Sequence, residues 1–333
     1  MLVREETMEC VEFLAPFNPR GDGYQTSAGS SSGSCAGLGA YPWVYFAIGS
    51  DTNGSCRKPA YWNGCFAVRP THGALDTRGV ASFCPSVCLW RRPFFDVLTF
   101  FGRDVSRFHD FANLWYGYSK KLVQNATVGA SVLYPIGYLP AQSENQMRLI
   151  DSFVEDLEDM WRKTKPDSVE EADLAEYLKT DAIAIVKNFA DGCRQKLDES
   201  PFIHRALRWR WEVADKVTPE DRDEGWERIY IYKKWLFENI FVEGSVLVLP
   251  VGDGKPGYRD NPPPPLGLLS GFSPLYVSPI AGTPEITAPI GEISYHSEIS
   301  KRDEPLPISV SLASAPGAFL NFSLELSGFV AAY

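Results

Sequence analysis

GSSSGSCAGLGAYPWVYFAIGSDTNGSCRKP, residues 29–59, carries two small-residue loops, Gly29–Ser34 and Gly49–Ser55, on either side of an apolar stretch from Ala36 to Ile48. Consecutive small residues let backbone N–H groups converge on one point. Gly54 permits dihedrals closed to most residues, and Asn53 tolerates a left-handed conformation better than most. The apolar stretch between the loops reads as a short buried helix running into a strand, with Val44–Ile48 the strand. A lone glycine-serine run could be a linker or an anion-binding nest. No Gly-Lys-Ser/Thr follows it, which argues against a nucleotide loop.

Working outward, Cys65–Arg69 and Phe94–Phe101 read as short strands. Residues 107–122 and 146–164 read as helices; in the second, apolar side chains recur at 147, 150, 153, 154, 157, 160 and 161, a three-four spacing. Ser168 and Glu171 have the capping-box spacing and predict a helix through about Lys196. A further helix is expected over about 201–216. Thr218 followed by Pro219 caps one more, through about Phe241. Val246–Pro250, Ile286–Ile290 and Ile308–Leu312 read as strands, with a turn-rich charged segment at 291–305. Pro262–Pro265 is expected to be polyproline-like. Strands, then a helical block, then strands again predict an α/β fold. The expectation is a mixed β-sheet core flanked by α-helices, in one domain covering 1–333. Within it, 1–104 holds the serine loops, 105–244 is mainly helical, and 245–333 holds closing strands and the proline-rich loop.

Composition sets the class. A chain of 333 residues with 44% hydrophobic content can bury a large core. The net charge of −10 disfavours a nucleic-acid partner. Most of it falls in residues 151–244, where 23 acids face 15 bases, as expected of solvated helical faces. No run of eighteen apolar residues exists, and the N-terminus MLVREETMECVEF has no apolar leader. A cytoplasmic chain with no membrane partner is the expectation. The seven cysteines show no paired zinc spacing, so no metal site is expected. Cys35, Cys56 and Cys65 sit among apolar or small residues and read as inert packing. Nothing fixes the oligomeric state.

The paired loops, with Arg57 and Pro59 after the second, resemble the amidase signature family. Ala60-Tyr-Trp-Asn-Gly-Cys-Phe-Ala-Val-Arg-Pro-Thr-His-Gly73, Phe95-Asp96 and Phe100-Phe101-Gly102-Arg103-Asp104 are similar to the family's continuation. Later segments, LPVGDGKPGYRD, SPLYVSPIAGTPEITAPIG and EPLPISVSLASAPG, look like the closing part of fungal-type members. Residues 84–93, CPSVCLWRRP, depart from the pattern.

The resemblance implies hydrolysis of carbon-nitrogen bonds in small-molecule carboxamides, without a cofactor. It makes Ser55 the nucleophile and Ser31, 24 residues earlier, the bridging serine, with a cis peptide bond before it at Ser30–Ser31. Thr52, Asn53 and Gly54 become the oxyanion loop. Ser32 is a supporting hydroxyl, and Asp51 and Arg57 brace the nucleophile loop. In the family a lysine upstream of the first serine loop is the base, whereas the first lysine here is Lys58. The sequence therefore reads as N-terminally incomplete, with impaired hydrolysis. The alternative is a non-catalytic amidase-like chain that binds a ligand or a partner.

Overall fold

The structure, a computed structural model, describes residues 14–77, 95–117, 131–139, 143–162, 169–171, 212, 216–261 and 273–318. Eight strands form one sheet: β1 (Phe46–Asp51), β2 (Phe66–Arg69), β3 (Val97–Gly102), β4 (Ser131–Tyr134), β5 (Val169–Glu171), β6 (Ser245–Pro250), β7 (Glu285–His296) and β8 (Asp303–Ser314). Their spatial order is β1-β3-β2-β7-β8-β6-β4-β5. Pairing is antiparallel from β1 across to β6, then parallel from β6 to β4 and from β4 to β5. The mixed sheet expected from the sequence is present.

Strand periodicity decides what each face holds. Side chains alternate across a pleated strand. In β6, Val246 and Val248 therefore enter one core and Leu247 and Leu249 the other. The first core is closed by α3 (Phe108–Tyr116) and α4 (Glu144–Arg162), through Phe108, Ala112, Ile150, Phe153, Val154, Leu157 and Trp161. The second is closed by α5 (Pro219–Asn239) and α6 (Val277–Ala281), through Ile229, Tyr232, Leu236, Val277 and Ile280. The three-four stripe read from residues 147–161 is thus the buried face of α4. Because both faces of β6 are covered, its sequence is apolar throughout rather than alternating.

Local signals hold at several ends. Thr218 accepts a hydrogen bond from the Asp221 N–H, and the Asp221 carboxylate accepts from the Thr218 N–H, a complete capping box at α5. The helix α2 (Arg57–Asn63) stops at Gly64, which takes a left-handed conformation at φ 58°. One expectation fails. Val169–Glu171, within the expected first turn of the helix read from Ser168 to about Lys196, instead pairs in parallel with Val132–Tyr134 as the edge strand β5. A local capping pattern loses there to backbone pairing with a strand distant in sequence. The remainder of that expected helix, the expected helix over 201–216, Pro262–Pro265 and residues 84–93 lie outside the described residues, apart from Glu212 and Lys216. The strands read at 286–290 and 308–312 are longer than expected. They form a twelve-residue hairpin pair whose charged tip is confined to 297–302.

Candidate active site

The two serine loops meet at the outer edge of β1. Ser31 precedes α1 (Ser32–Ala40), and the second loop links β1 to α2. The Ser31 N–H donates to the Ser55 carbonyl at 3.1 Å, joining the loops directly. The Ser31 hydroxyl accepts from the Ser50 N–H at 3.3 Å and donates to the Ser50 carbonyl at 3.2 Å. One turn on, the Ser34 hydroxyl donates to the Ile48 carbonyl at 2.8 Å. An edge strand presents backbone groups that another strand would pair. Along β1 these serines take that place. Gly49 is required by this closeness: a Cβ there would meet the Ser31 side chain and lie 2.8 Å from the Phe101 ring. Ser31 is buried, whereas Ser32 and Ser55 are half-buried. The cis peptide bond is Gly29–Ser30, one bond ahead of the Ser30–Ser31 bond implied by the resemblance. The Ser30–Ser31 peptide instead aims its N–H at Ser55.

Beneath the second serine loop lies a fully buried charge network. The Asp51 Oδ1 accepts from the Gly54 N–H at 2.9 Å, from Arg57 Nη2 at 3.0 Å and from Arg69 Nη1 at 3.0 Å. Its Oδ2 accepts from the Cys56 N–H at 2.9 Å and from Arg57 Nε at 3.2 Å. Arg57 also reaches Glu285 and the Leu275 carbonyl, both at 2.9 Å. Arg69 reaches the carbonyls of Asp51 and Phe95. Two carboxylates and two guanidiniums balance, so no net charge is buried.

Burial by itself would raise the Asp51 pKa. The guanidiniums of Arg57 and Arg69, with the hydrogen bonds from Arg57 and Cys56, outweigh it and hold the carboxyl well below its ordinary range. Burial likewise works against charge on Arg57, but Asp51 and Glu285 raise its pKa. Burial and the Asp51 charge push the Cys56 thiol up, so the cysteine beside Ser55 stays protonated.

The bracing expected of Asp51 and Arg57 therefore has a geometry, and it includes two residues to which the sequence reading gave no role, Arg69 and Glu285. Neither is signalled by local spacing, since Glu285 is 228 residues from Arg57. Asp96 was also unassigned; it accepts from the Thr52 hydroxyl at 2.5 Å. The Gly54 N–H is committed to Asp51. Gly54 itself sits at φ 101° against the Leu275 side chain, a conformation that favours glycine. The Asn53 side-chain oxygen is buried and has no hydrogen-bond partner among the described residues. Lys58 is exposed on α2. Among the described residues, no cluster of histidine, cysteine or carboxylate could hold a metal, and no helix is long and apolar enough to cross a membrane.

A mixed sheet covered by helices, with two serine loops joined at one edge over a buried carboxylate-guanidinium network, defines the amidase signature fold. Residues 8–148 match the sequence model of the family described as Amidase. Amidase 1 of Arabidopsis thaliana is 42% identical over 78 residues, which cover 23% of this chain and 16% of that protein. Amidase 1 of Oryza sativa subsp. japonica is 22% identical over 93% of this chain and 73% of that protein. A solved amidase structure superposes with a TM-score of 0.65 at 19% identity, covering 95% of this chain and 71% of that one. The chain is thus similar to amidases in sequence over residues 8–148 and shares the fold of the solved amidase.

Proposed function

We propose that the chain is a carboxamide hydrolase in which Ser55 attacks the carbonyl carbon and Ser31 relays the proton. The contact of the Ser31 N–H with the Ser55 carbonyl carries this reading, because it joins the two serine loops directly. A serine hydroxyl is a weak nucleophile until its proton is taken. Relay through Ser31 requires its hydroxyl to turn from the Ser50 carbonyl toward Ser55. The oxyanion of the tetrahedral intermediate needs donors aimed in advance. The N–H groups of Thr52 and Asn53 fill that role, and Gly54 supports them through its bond to Asp51. Ser32 is a supporting hydroxyl on the bridging side. The leaving amine takes the relayed proton, and water then releases the acyl group from Ser55. Substrates are small-molecule carboxamides, and no cofactor takes part.

The base is the step these 333 residues leave weakest. No lysine precedes Lys58, and Lys58 is exposed on the Ser55 side of the loops. General-base assistance at Ser31 is worth about 10²–10⁴-fold. Donors at the oxyanion position sustain a residual rate. The commitment of Ser31 to Ser50 favours the second reading, a binding protein without turnover.

The two readings separate in one experiment. The chain is treated with p-nitrophenyl acetate, whose leaving group needs little help from a base, and then with an aryl anilide. The hydrolase reading expects acetylation of Ser55, seen by mass spectrometry and absent in Ser55→Ala, with slow anilide turnover. No acyl-serine under any condition would refute it. Fast anilide turnover that vanishes in Ser55→Ala would show that another group serves as the base.

A further inference from the structure

The second serine loop leaves β1 at Asp51, where the ladder with β3 ends in the pair Asp51↔Val97. The register runs from Phe46↔Gly102 to Asp51↔Val97, so one step further Thr52 stands opposite Asp96. Opposed residues of an antiparallel pair bring their side chains within reach of each other. Here the contact is the bond from the Thr52 hydroxyl to Asp96 Oδ1 at 2.5 Å, short as charge-assisted hydrogen bonds are. A side-chain pair thus continues the ladder where the backbone turns away. Arg69 ties the two chains beside this pair, with Nη1 on the Asp51 carbonyl and Nη2 on the Phe95 carbonyl.

The far side of the loop is held separately. Asp51 accepts from the N–H groups of Gly54 and Cys56. Between the two sets of anchors lies the Thr52–Asn53 peptide. Its N–H, with that of Thr52, is an oxyanion donor in the hydrolase reading above. Threonine is stiff at χ1 because it is branched at Cβ. A held hydroxyl therefore restrains the Thr52 backbone, and with it the direction of the Asn53 N–H.

We propose that Asp96 is a positioning residue: through the Thr52 hydroxyl it sets the aim of the Thr52 and Asn53 N–H groups at the oxyanion. The inference rests on Ser55 being the nucleophile. Such donors contribute when they are already aimed at the place where charge develops. Ground-state binding does not need that aim, so losing it slows acylation and leaves the half-saturating substrate concentration unchanged. A carboxylate adds no attraction for a developing negative charge. Its contribution is orientation, and a neutral acceptor of the same shape should replace it.

The test is a double-mutant cycle in the full chain, read by the rate of Ser55 acetylation with p-nitrophenyl acetate and checked for folding by the urea midpoint. Thr52→Val keeps the shape of the side chain and removes the donor; Asp96→Ala removes the acceptor. Each should lower the maximal acetylation rate about tenfold, a fraction of the 10²–10³-fold that follows outright loss of a donor. The double variant should be no slower than either single one, since both changes break the same bond. Thr52→Ser and Asp96→Asn, which keep the hydroxyl and the acceptor oxygen, should restore the rate. Should Asp96→Ala fail to fold, Thr52→Val decides. A native rate in Thr52→Val would overturn the proposal. So would additive losses in the double variant, or a lowered urea midpoint with an unchanged rate per folded chain. No acetyl-Ser55 in the native chain would refute the hydrolase reading, whereas native acetylation that Asp96→Ala leaves unslowed would refute the role of Asp96 alone.

Discussion

Replacing Asp51 with asparagine should be among the most damaging single changes in the chain. The Asp51 carboxylate accepts five hydrogen bonds: three at Oδ1, from Gly54, Arg57 and Arg69, and two at Oδ2, from Cys56 and Arg57. Asparagine offers one acceptor oxygen and one donor group. Whichever way it is turned, its NH₂ meets two or three N–H donors head-on. The substitution also leaves Arg57 and Arg69 facing Glu285 alone, an uncompensated positive charge in a dry site. Removing one partner of a buried ion pair costs about 3–5 kcal/mol, against a total stability of roughly 5–15 kcal/mol. With an m value of about 3 kcal/mol/M, the urea midpoint should fall by roughly 1–1.7 M.

Acid titration checks the same reasoning. The Asp51 pKa is lower in the folded chain than in the unfolded one. Its stabilisation is therefore complete above the unfolded value of about 3.9 and is lost as pH falls below it. Urea unfolding between pH 6 and 3, followed by circular dichroism, should show a shallower acid loss in Asp51→Asn than in the native chain. A midpoint shift under about 0.3 M, or an unchanged acid slope, would refute the picture of Asp51 as the keystone of the loop.

Further outcomes follow from the same geometry. Gly49→Ala pushes a methyl group into the Ser31 side chain and the Phe101 ring, so it should cost about 1–3 kcal/mol. It should also lower Ser55 acetylation; stability equal to the native chain would contradict the close approach of α1 to β1. Thr218→Ala removes the hydroxyl that accepts from the Asp221 N–H in the α5 capping box and leaves the backbone N–H that donates to the Asp221 carboxylate. Thermal unfolding should report a loss of about 1 kcal/mol, and no loss would mean that this helix end frays in the native chain.

The sequence by itself determined the strand-helix-strand order, the face of α4 that is buried, the cap of α5 and the pairing of two serine loops. Each of these rests on signals within a few residues or one helical turn: periodicity, a capping side chain, a run of small residues. Tertiary structure decided what those signals cannot carry. Ser168 and Glu171 look locally like a helix start, yet Val169–Glu171 joins the sheet because β4 offers a backbone edge. Ser31 reads as a relay, yet its hydroxyl holds both backbone groups of Ser50, since β1 is an edge strand whose outer groups need partners. Arg69 and Glu285 reach Asp51 and Arg57 only because β2 and β7 lie side by side in the sheet. Buried charges must be matched wherever the fold brings them together, and that matching links residues hundreds of positions apart.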